Sequence, residues 1–205
     1  MASVCILDYG SGNVKSVFNL LSTLIDDVVI SNEPAEIANA SHIVLPGVGA
    51  FGTAMRKIRE TLPMDALEQA VLTEKKPFLG ICVGMQVMAS RGVEFGEHAG
   101  LGWIAGSVEK LDVNDLPLPH VGWNNVICKQ ASPLLEGLGG DPDFYFVHSF
   151  VFNVENPTHM LASTHYGEEF CSVIQHENLF GVQFHPEKSQ RTGIKLMKNF
   201  RRLQK

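Results

Sequence analysis

Apolar and polar positions alternate along the first half of the chain in blocks that switch between short apolar runs and helical periodicity. The run Val4-Cys5-Ile6-Leu7 reads as a buried strand. After it, Val14, Val17, Phe18, Leu21, Leu24 and Ile25 share one stripe of an amphipathic helix. Strands are predicted at Val28 to Ser31, at His42-Ile43-Val44-Leu45 and at Phe78 to Ile81, with helical material from Phe51 to Lys75 interrupted by Pro63. Strands separated by helices imply right-handed crossovers and a largely parallel sheet. The second half is richer in β signals, around Val108, Val121 to Cys128, Phe144 to Phe152 and Leu161 to His165, which predicts antiparallel additions to that sheet. Cys171 to Gln175 and Phe180 to His185 read as a hairpin turning through His176-Glu177-Asn178-Leu179. Leu196, Phe200 and Leu203 then mark a final helix. No repeat, low-complexity segment or linker divides the chain, so one domain over residues 1–205 is expected.

Composition narrows the classes open to such a domain. Apolar residues make up 45% and charged residues 19%, enough for a full core. A net charge of −6 with scattered basic residues argues against a nucleic-acid or anionic-membrane surface. The exception is the cluster Lys195, Lys198, Arg201, Arg202 and Lys205, which a helix C-terminus accounts for, since cations there complement the dipole. Cys5, Cys82, Cys128 and Cys171 show no CxxC spacing, so reduced thiols in the cytoplasm are expected rather than disulfides or a zinc ribbon. Neither a signal peptide nor an apolar run of about 18 residues is evident, so a soluble, unprocessed chain is expected.

The sharpest chemical signal is Phe78-Leu79-Gly80-Ile81-Cys82-Val83-Gly84-Met85-Gln86, a strand running through G-x-C-x-G into a helix predicted to continue over Val87-Met88-Ala89. This is the thiol counterpart of a nucleophile elbow. Gly80 and Gly84 provide the small neighbours that so tight a turn needs, and the positive end of the helix favours the attacking thiolate. A cysteine nucleophile needs a base. Among the eight histidines, His185 stands out in Phe180-Gly181-Val182-Gln183-Phe184-His185-Pro186-Glu187. Strand alternation puts Gln183 and His185 on one face, and Pro186 ends the ladder, leaving His185 at a strand terminus where sites gather in open α/β sheets. Glu187 can turn back to orient the imidazole. His148 could line the site or be a satisfied strand histidine.

Acyl transfer also needs donors for the developing oxyanion. The backbone N–H of Val83 is one candidate. A second is expected from Leu45-Pro46-Gly47-Val48-Gly49, whose glycines let backbone N–H groups turn toward a ligand. Asp8-Tyr9-Gly10-Ser11-Gly12-Asn13 lacks a full phosphate-binding pattern and reads as a capped turn at the site's edge.

These motifs resemble the class I (triad) glutamine amidotransferases. Asp8 to Asn13, Leu45 to Gly49, His120-Val121-Gly122-Trp123-Asn124 and Tyr145-Phe146-Val147-His148-Ser149 resemble one branch of them, the glutaminase subunits of imidazole glycerol phosphate synthases in histidine biosynthesis. The resemblance implies a flavodoxin-like α/β fold and hydrolysis of the L-glutamine side-chain amide through a glutamyl thioester. It makes Cys82 the nucleophile, His185 the acid and base, and Glu187 its orienter. It implies that Gly49, Gln86, Glu94, Ser149 and Phe150 hold glutamine, and that Val48, Gly49 and Val83 form the oxyanion hole, with the Val48 peptide reorienting to complete it. Val83, Phe150 and the segment Gly92-Val93-Glu94 depart from the usual residues, so the Glu94 assignment rests on spacing. No metal or other cofactor is implied.

The resemblance further implies a heterodimer with a (β/α)₈-barrel cyclase that receives the ammonia, because one domain of this size leaves no room for the acceptor. Trp123, Asn124, Tyr145 and Lys188 would lie at that interface, Trp123 being equally readable as a strand-packing residue. The alternatives are a glutaminase for another pathway, such as pyridoxal phosphate or purine synthesis, and a catalytically silent regulatory subunit. A metal hydrolase is disfavoured, since no further histidine lies at metal spacing from His185 and Glu187.

Overall fold

The computed structural model describes residues 3–204, so Lys205 of the basic cluster lies outside the described residues. The first half builds β1 (Ser3–Ile6), α1 (Val14–Ser22), β2 (Asp27–Ile30), α2 (Pro34–Asn39), β3 (His42–Gly47), α3 (Phe51–Thr61), α4 (Met64–Glu68), β4 (Phe78–Cys82) and α5 (Val83–Gln86). β3 and β4 are buried along their whole length, as expected for continuous apolar runs covered on both faces. α1 turns Val14, Val17 and Leu21 into the core. The helical stretch after β3 breaks at Pro63, as the sequence predicts, and α4 runs into a π-helical turn at Gln69–Thr73. α2 is not anticipated by periodicity, because it buries only Ile37.

The second half supplies β5 (Arg91–Gly92), β6 (His98–Ala99), β7 (Gly106–Lys110), β8 (His120–Asn125), β9 (Ile127–Cys128), β10 (Asp143–His148), β11 (Phe150–Val154), β12 (Met160–Tyr166), β13 (Glu168–His176), β14 (Leu179–Val182) and α6 (Gln190–Phe200). Among the described residues, the main sheet runs β2-β1-β3-β4-β14-β13-β12-β9. Its first five strands are parallel, in the doubly wound order 2-1-3-4-5, and β13, β12 and β9 follow, each antiparallel to the strand before it. The expected antiparallel additions are therefore only partly part of this sheet. β8 and β10 form a separate ribbon, and β11, β7, β5 and β6 form a small sheet of their own.

The β13–β14 hairpin is tighter than the sequence suggests, turning through Glu177 and Asn178, with Glu177 at a φ of 52°. β14 also ends earlier, at Val182, so His185 lies three residues beyond the strand. The alternation that pointed to a longer strand does not separate faces here, because Gln183, Phe184 and His185 are all buried. The four cysteines are unpaired. No helix among the described residues is long and apolar enough to cross a membrane. Just past the end of α6, Arg201 donates to the carbonyl of Leu24, a packing role for one member of the basic cluster.

Doubly wound sheets gather ligands at the carboxyl ends of their strands, near the point where strand order reverses. Here that edge carries the turn after β1 with Asn13, the loop after β3 with Gly49, the elbow after β4 with Cys82, and the segment after β14 with His185.

Candidate active site

Cys82 closes β4 and caps α5 with φ 55° and ψ −112°, a conformation that is rare and strained for a residue with a side chain. The surrounding backbone imposes it. A Cβ at Gly84 would sit 1.8 Å from the Leu45 carbonyl oxygen, and one at Gly80 would sit 2.4 Å from that of Gly84. The elbow is thus pressed onto the end of β3, which brings the Gly47–Gly49 loop beside the thiol. α5 is one turn long, shorter than the helix predicted through Ala89, so its dipole contributes less to the thiolate than the sequence suggests.

His185 donates from Nδ1 to Glu187 Oε1 at 2.7 Å, with both side chains almost fully buried. The Asn13 amide donates to the same carboxylate oxygen at 3.1 Å. Asn13 occupies the N-cap of α1, yet its side chain caps nothing there. The position that read as an edge turn instead holds the Glu187 carboxylate from across the sheet. The main chain of His185 is fixed as well: its N–H donates to Tyr145 O at 2.9 Å, and Ser189 Oγ donates to its carbonyl at 2.6 Å.

Burial by itself would lower the proton affinity of His185, but hydrogen bonds and charge from Cys82 and Glu187 more than offset it and raise the pKa to about 10. The folded chain therefore holds a proton that the unfolded chain releases above about pH 6.5. Stability from this pair is complete below about pH 6.5 and is lost as the pH rises toward 10. The melting temperature of the wild type is expected to approach that of Glu187→Gln across this window by about 2–4 °C, the shift that roughly 1 kcal/mol makes in a domain of this size. Parallel melting curves over the same pH range would show that Glu187 does not hold the proton.

A cavity of about 420 Å³ opens over Cys82 and His185. Val48, Gly49, Val83, Gln86, Glu94, Ser149, Phe150 and Lys188 line it, so every residue expected around glutamine or its oxyanion meets at one place. Glu94 has a second task that spacing could not show. Its Oε2 accepts from the Phe51 N–H at 2.8 Å and caps α3, whose N-cap Ala50 has no side chain able to do so. A larger cavity of about 700 Å³ lies on the other side of Phe95, between α3 and β6. It is lined by Arg56, Arg59 and Glu60 but by no cysteine, and Cys82 and His185 face the smaller one.

The residues expected at a partner interface also cluster. Trp123 is 48% exposed, which favours a contact residue over a core one. Its ring meets that of Tyr145 edge-on at 6.1 Å, and Lys188 Nζ lies 5.8 Å from the centre of the Tyr145 ring. Asn124 is half-buried, and its amide is hydrogen-bonded to His120 and to the His165 carbonyl.

The sequence pattern of the family described as glutamine amidotransferase class-I matches residues 5–203. The chain belongs to the class I glutamine amidotransferases. It is 44% identical over 199 residues to "Imidazole glycerol phosphate synthase subunit HisH 2" of Vibrio vulnificus, covering 96% of this chain and 92% of the relative. It is 45% identical over 199 residues to "Imidazole glycerol phosphate synthase subunit HisH" of Bdellovibrio bacteriovorus, covering 95% and 97%. A solved structure described as a glutamine amidotransferase superposes with a TM-score of 0.74 at 19% identity, covering 97% of each chain. At that identity the likeness speaks for the shared fold alone.

Three polar residues stand in the motifs quoted above, but the motifs do not show what they do. Asn13, Gln183 and His120 reach the amidotransferase site only through contacts distant in sequence. Gln183 is fully buried and donates to Cys82 Sγ at 3.6 Å. His148, which could be read either as a site residue or as a strand histidine, proves to be both: it lines the cavity and is buried in β10.

Proposed function

We propose that this chain is the glutaminase subunit of an imidazole glycerol phosphate synthase, a single cytoplasmic domain over residues 1–205 that supplies ammonia to a separate cyclase. The observation that carries the reading is the convergence of Cys82, on a strained elbow, with a buried His185–Glu187 pair 2.7 Å apart at one end of the sheet. That constellation suits acyl transfer to sulfur. The relatives named above are subunits of that synthase, which supports the pathway.

In this reading Cys82 Sγ attacks the side-chain carbonyl carbon of L-glutamine. The tetrahedral oxyanion is met by the N–H of Val83 and by a second donor from Val48–Gly49, where pre-aimed donors contribute most. His185 passes its proton to the departing nitrogen, so ammonia leaves and a glutamyl thioester remains. The now neutral imidazole takes a proton from water, hydroxide adds to the thioester, and glutamate and the thiol are released. Gly49, Gln86, Glu94, Ser149 and Phe150 hold the amino-acid end. Glu187, held by Asn13, keeps the imidazole Nδ1 protonated and its Nε2 toward the sulfur. The exposed cluster of Trp123, Tyr145 and Lys188, with Asn124 beneath it, faces a (β/α)₈-barrel cyclase, and no cofactor is required.

The test is glutamate release with the chain alone, with a cyclase subunit, and with cyclase plus its nucleotide substrate. A large rise confined to the last condition is expected, since coupling between sites is the signature of channelled ammonia. Equal rates in all three would reject the assignment to this synthase.

A further inference from the structure

Between the partner-facing ribbon and the nucleophile runs an unbroken chain of hydrogen bonds whose direction is fixed at both ends. At the outer end, Asn124 Oδ1 accepts from the Asn125 N–H at 2.8 Å and its Nδ2 donates to the His165 carbonyl at 3.1 Å, so its amide cannot be reversed. The Asn124 amide lies 3.2 Å from His120 Nε2, which must therefore accept. That leaves the proton on His120 Nδ1, which faces His148 Nε2 at 3.0 Å. His148 Nδ1 in turn donates to the Phe150 carbonyl at 3.1 Å. Protonating either ring a second time would set two N–H groups against each other. Consistent with this, burial lowers the pKa of His120 to about 4 and, together with the charge of His120, that of His148 to about 3.

The Phe150 carbonyl also accepts from Gln86 Nε2 at 2.9 Å, and the same Nε2 donates to Gln183 Oε1 at 3.0 Å. Both N–H bonds of Gln86 are thus used, and Gln183 has its oxygen engaged. Only its Nε2 remains to face Cys82 Sγ, at 3.6 Å. Reversing the Gln183 amide would aim oxygen lone pairs at the thiolate and set two NH₂ groups together.

We infer that Gln183 is a positioning residue that holds the attacking sulfur as a thiolate through its Nε2–H, and that the chain through Gln86, Phe150 O, His148 and His120 to Asn124 keeps that N–H aimed. This rests on the glutaminase reading for the identity of the nucleophile. It adds a link between the ribbon proposed to meet the cyclase and the sulfur, because a shift of Asn124 loads every bond in the series.

The test reads the pH dependence of Cys82 alkylation by iodoacetamide in the whole chain, followed on the Cys82 peptide by mass spectrometry so that exposed Cys128 does not interfere. The other titratable groups facing the cavity or the thiol are His185, His148, Tyr9, Glu94 and Lys188, all retained in the variants. Gln183→Met keeps the volume without the donor. Its acid limb is expected to move up by about one pH unit, a roughly tenfold slower reaction at a pH on the limb. Gln183→Glu keeps the acceptor for Gln86 and sets a carboxylate against the sulfur, so its limb should move further. His120→Phe preserves stacking between Phe146 and Tyr166 and removes the relay. It should slow alkylation about threefold on the limb in the wild-type background and add nothing to Gln183→Met, the non-additivity of residues acting in series. Unmoved limbs in folded Gln183→Met or Gln183→Glu, or an effect of His120→Phe that persists beside Gln183→Met, would overturn the inference while leaving the glutaminase reading intact. A wild-type Cys82 that does not alkylate at any pH would overturn both.

Discussion

Cys82→Ala is expected to lower glutamine-supported product formation by roughly four orders of magnitude or more, the scale of loss when a covalent nucleophile is removed, while ammonia-supported formation by the cyclase continues. The asymmetry follows from where the atoms come from. Without Sγ there is no acceptor for the glutamyl group, and water at the same position is neither polarised by the elbow nor paired with His185. The cyclase, by contrast, receives the same molecule whether ammonia is generated in this domain or added to the buffer. Alanine removes one buried sulfur that touches Val147 O at 3.9 Å and Gln183 Nε2 at 3.6 Å, so the fold and the exposed ribbon persist. The experiment compares turnover with glutamine and with ammonium salt, using wild-type and Cys82→Ala subunits on the same cyclase. Loss of both activities would reject ammonia as the transferred species, and retention of glutamine-supported turnover would reject Cys82 as the nucleophile.

What could be read from the sequence divides by the range over which the information is local. Cys82, His185 and Glu187 are legible because each sits in a short motif whose neighbours explain it: the close glycines around the thiol, and the proline that turns Glu187 back within two residues of His185. β1, β3 and β4 are legible because strands covered on both faces are written as plain apolar runs. Asn13 is different. Its partner Glu187 is 174 residues away, and its N-cap position offers a sufficient local explanation that happens not to operate. Gln183 likewise meets Gln86 and Cys82 across 97 and 101 residues. The end of β14 is hidden for another reason. Alternation reports which residues are buried, and past Val182 the aromatic stack of Phe184 on Phe144, at 3.8 Å, maintains burial after strand pairing has ceased. The two-residue strands β5 and β6 carry no periodicity at all.

The β8–β10 ribbon stands apart from the main sheet, and its two faces differ. Tyr145 and Trp123 point outward from it, while Phe144, Phe146, His120 and His148 point inward to the core and cavity. One pair of strands thus presents an apolar surface on one side and buried polar partners of the site on the other. Fixing His185 N–H to Tyr145 O ties the base to this ribbon too. Cys82 Sγ, against Val147 O, and the His185 N–H are thus both referenced to β10 of this ribbon.

Gly84→Ala is expected to be the most damaging single methyl group in the chain. Its Cβ would meet Leu45 O at 1.8 Å and the Leu45 carbonyl carbon at 2.9 Å, and no rotamer can relieve a clash between two stretches of backbone. Overpacking against movable side chains typically costs about 1–3 kcal/mol. Here β3 or the elbow must shift by more than about an ångström, so about 3 kcal/mol or more is expected, a fall in melting temperature of roughly 6–12 °C at this size. Gly140→Ala is the control, since nothing lies within 4 Å of its Cβ, and it should be neutral or slightly stabilising through the unfolded state. Activity should fall further than the folded fraction does. The contact that Gly84 permits is the one that presses the elbow onto the end of β3, and separating them moves the Val48–Gly49 donors away from the thioester carbon, where misplacement by about 1 Å can cost a hundredfold in rate. Glutaminase activity per folded molecule, set beside the melting curves of Gly84→Ala and Gly140→Ala, decides the matter. A Gly84→Ala protein with wild-type stability would mean that the elbow and β3 are not in contact at that carbonyl.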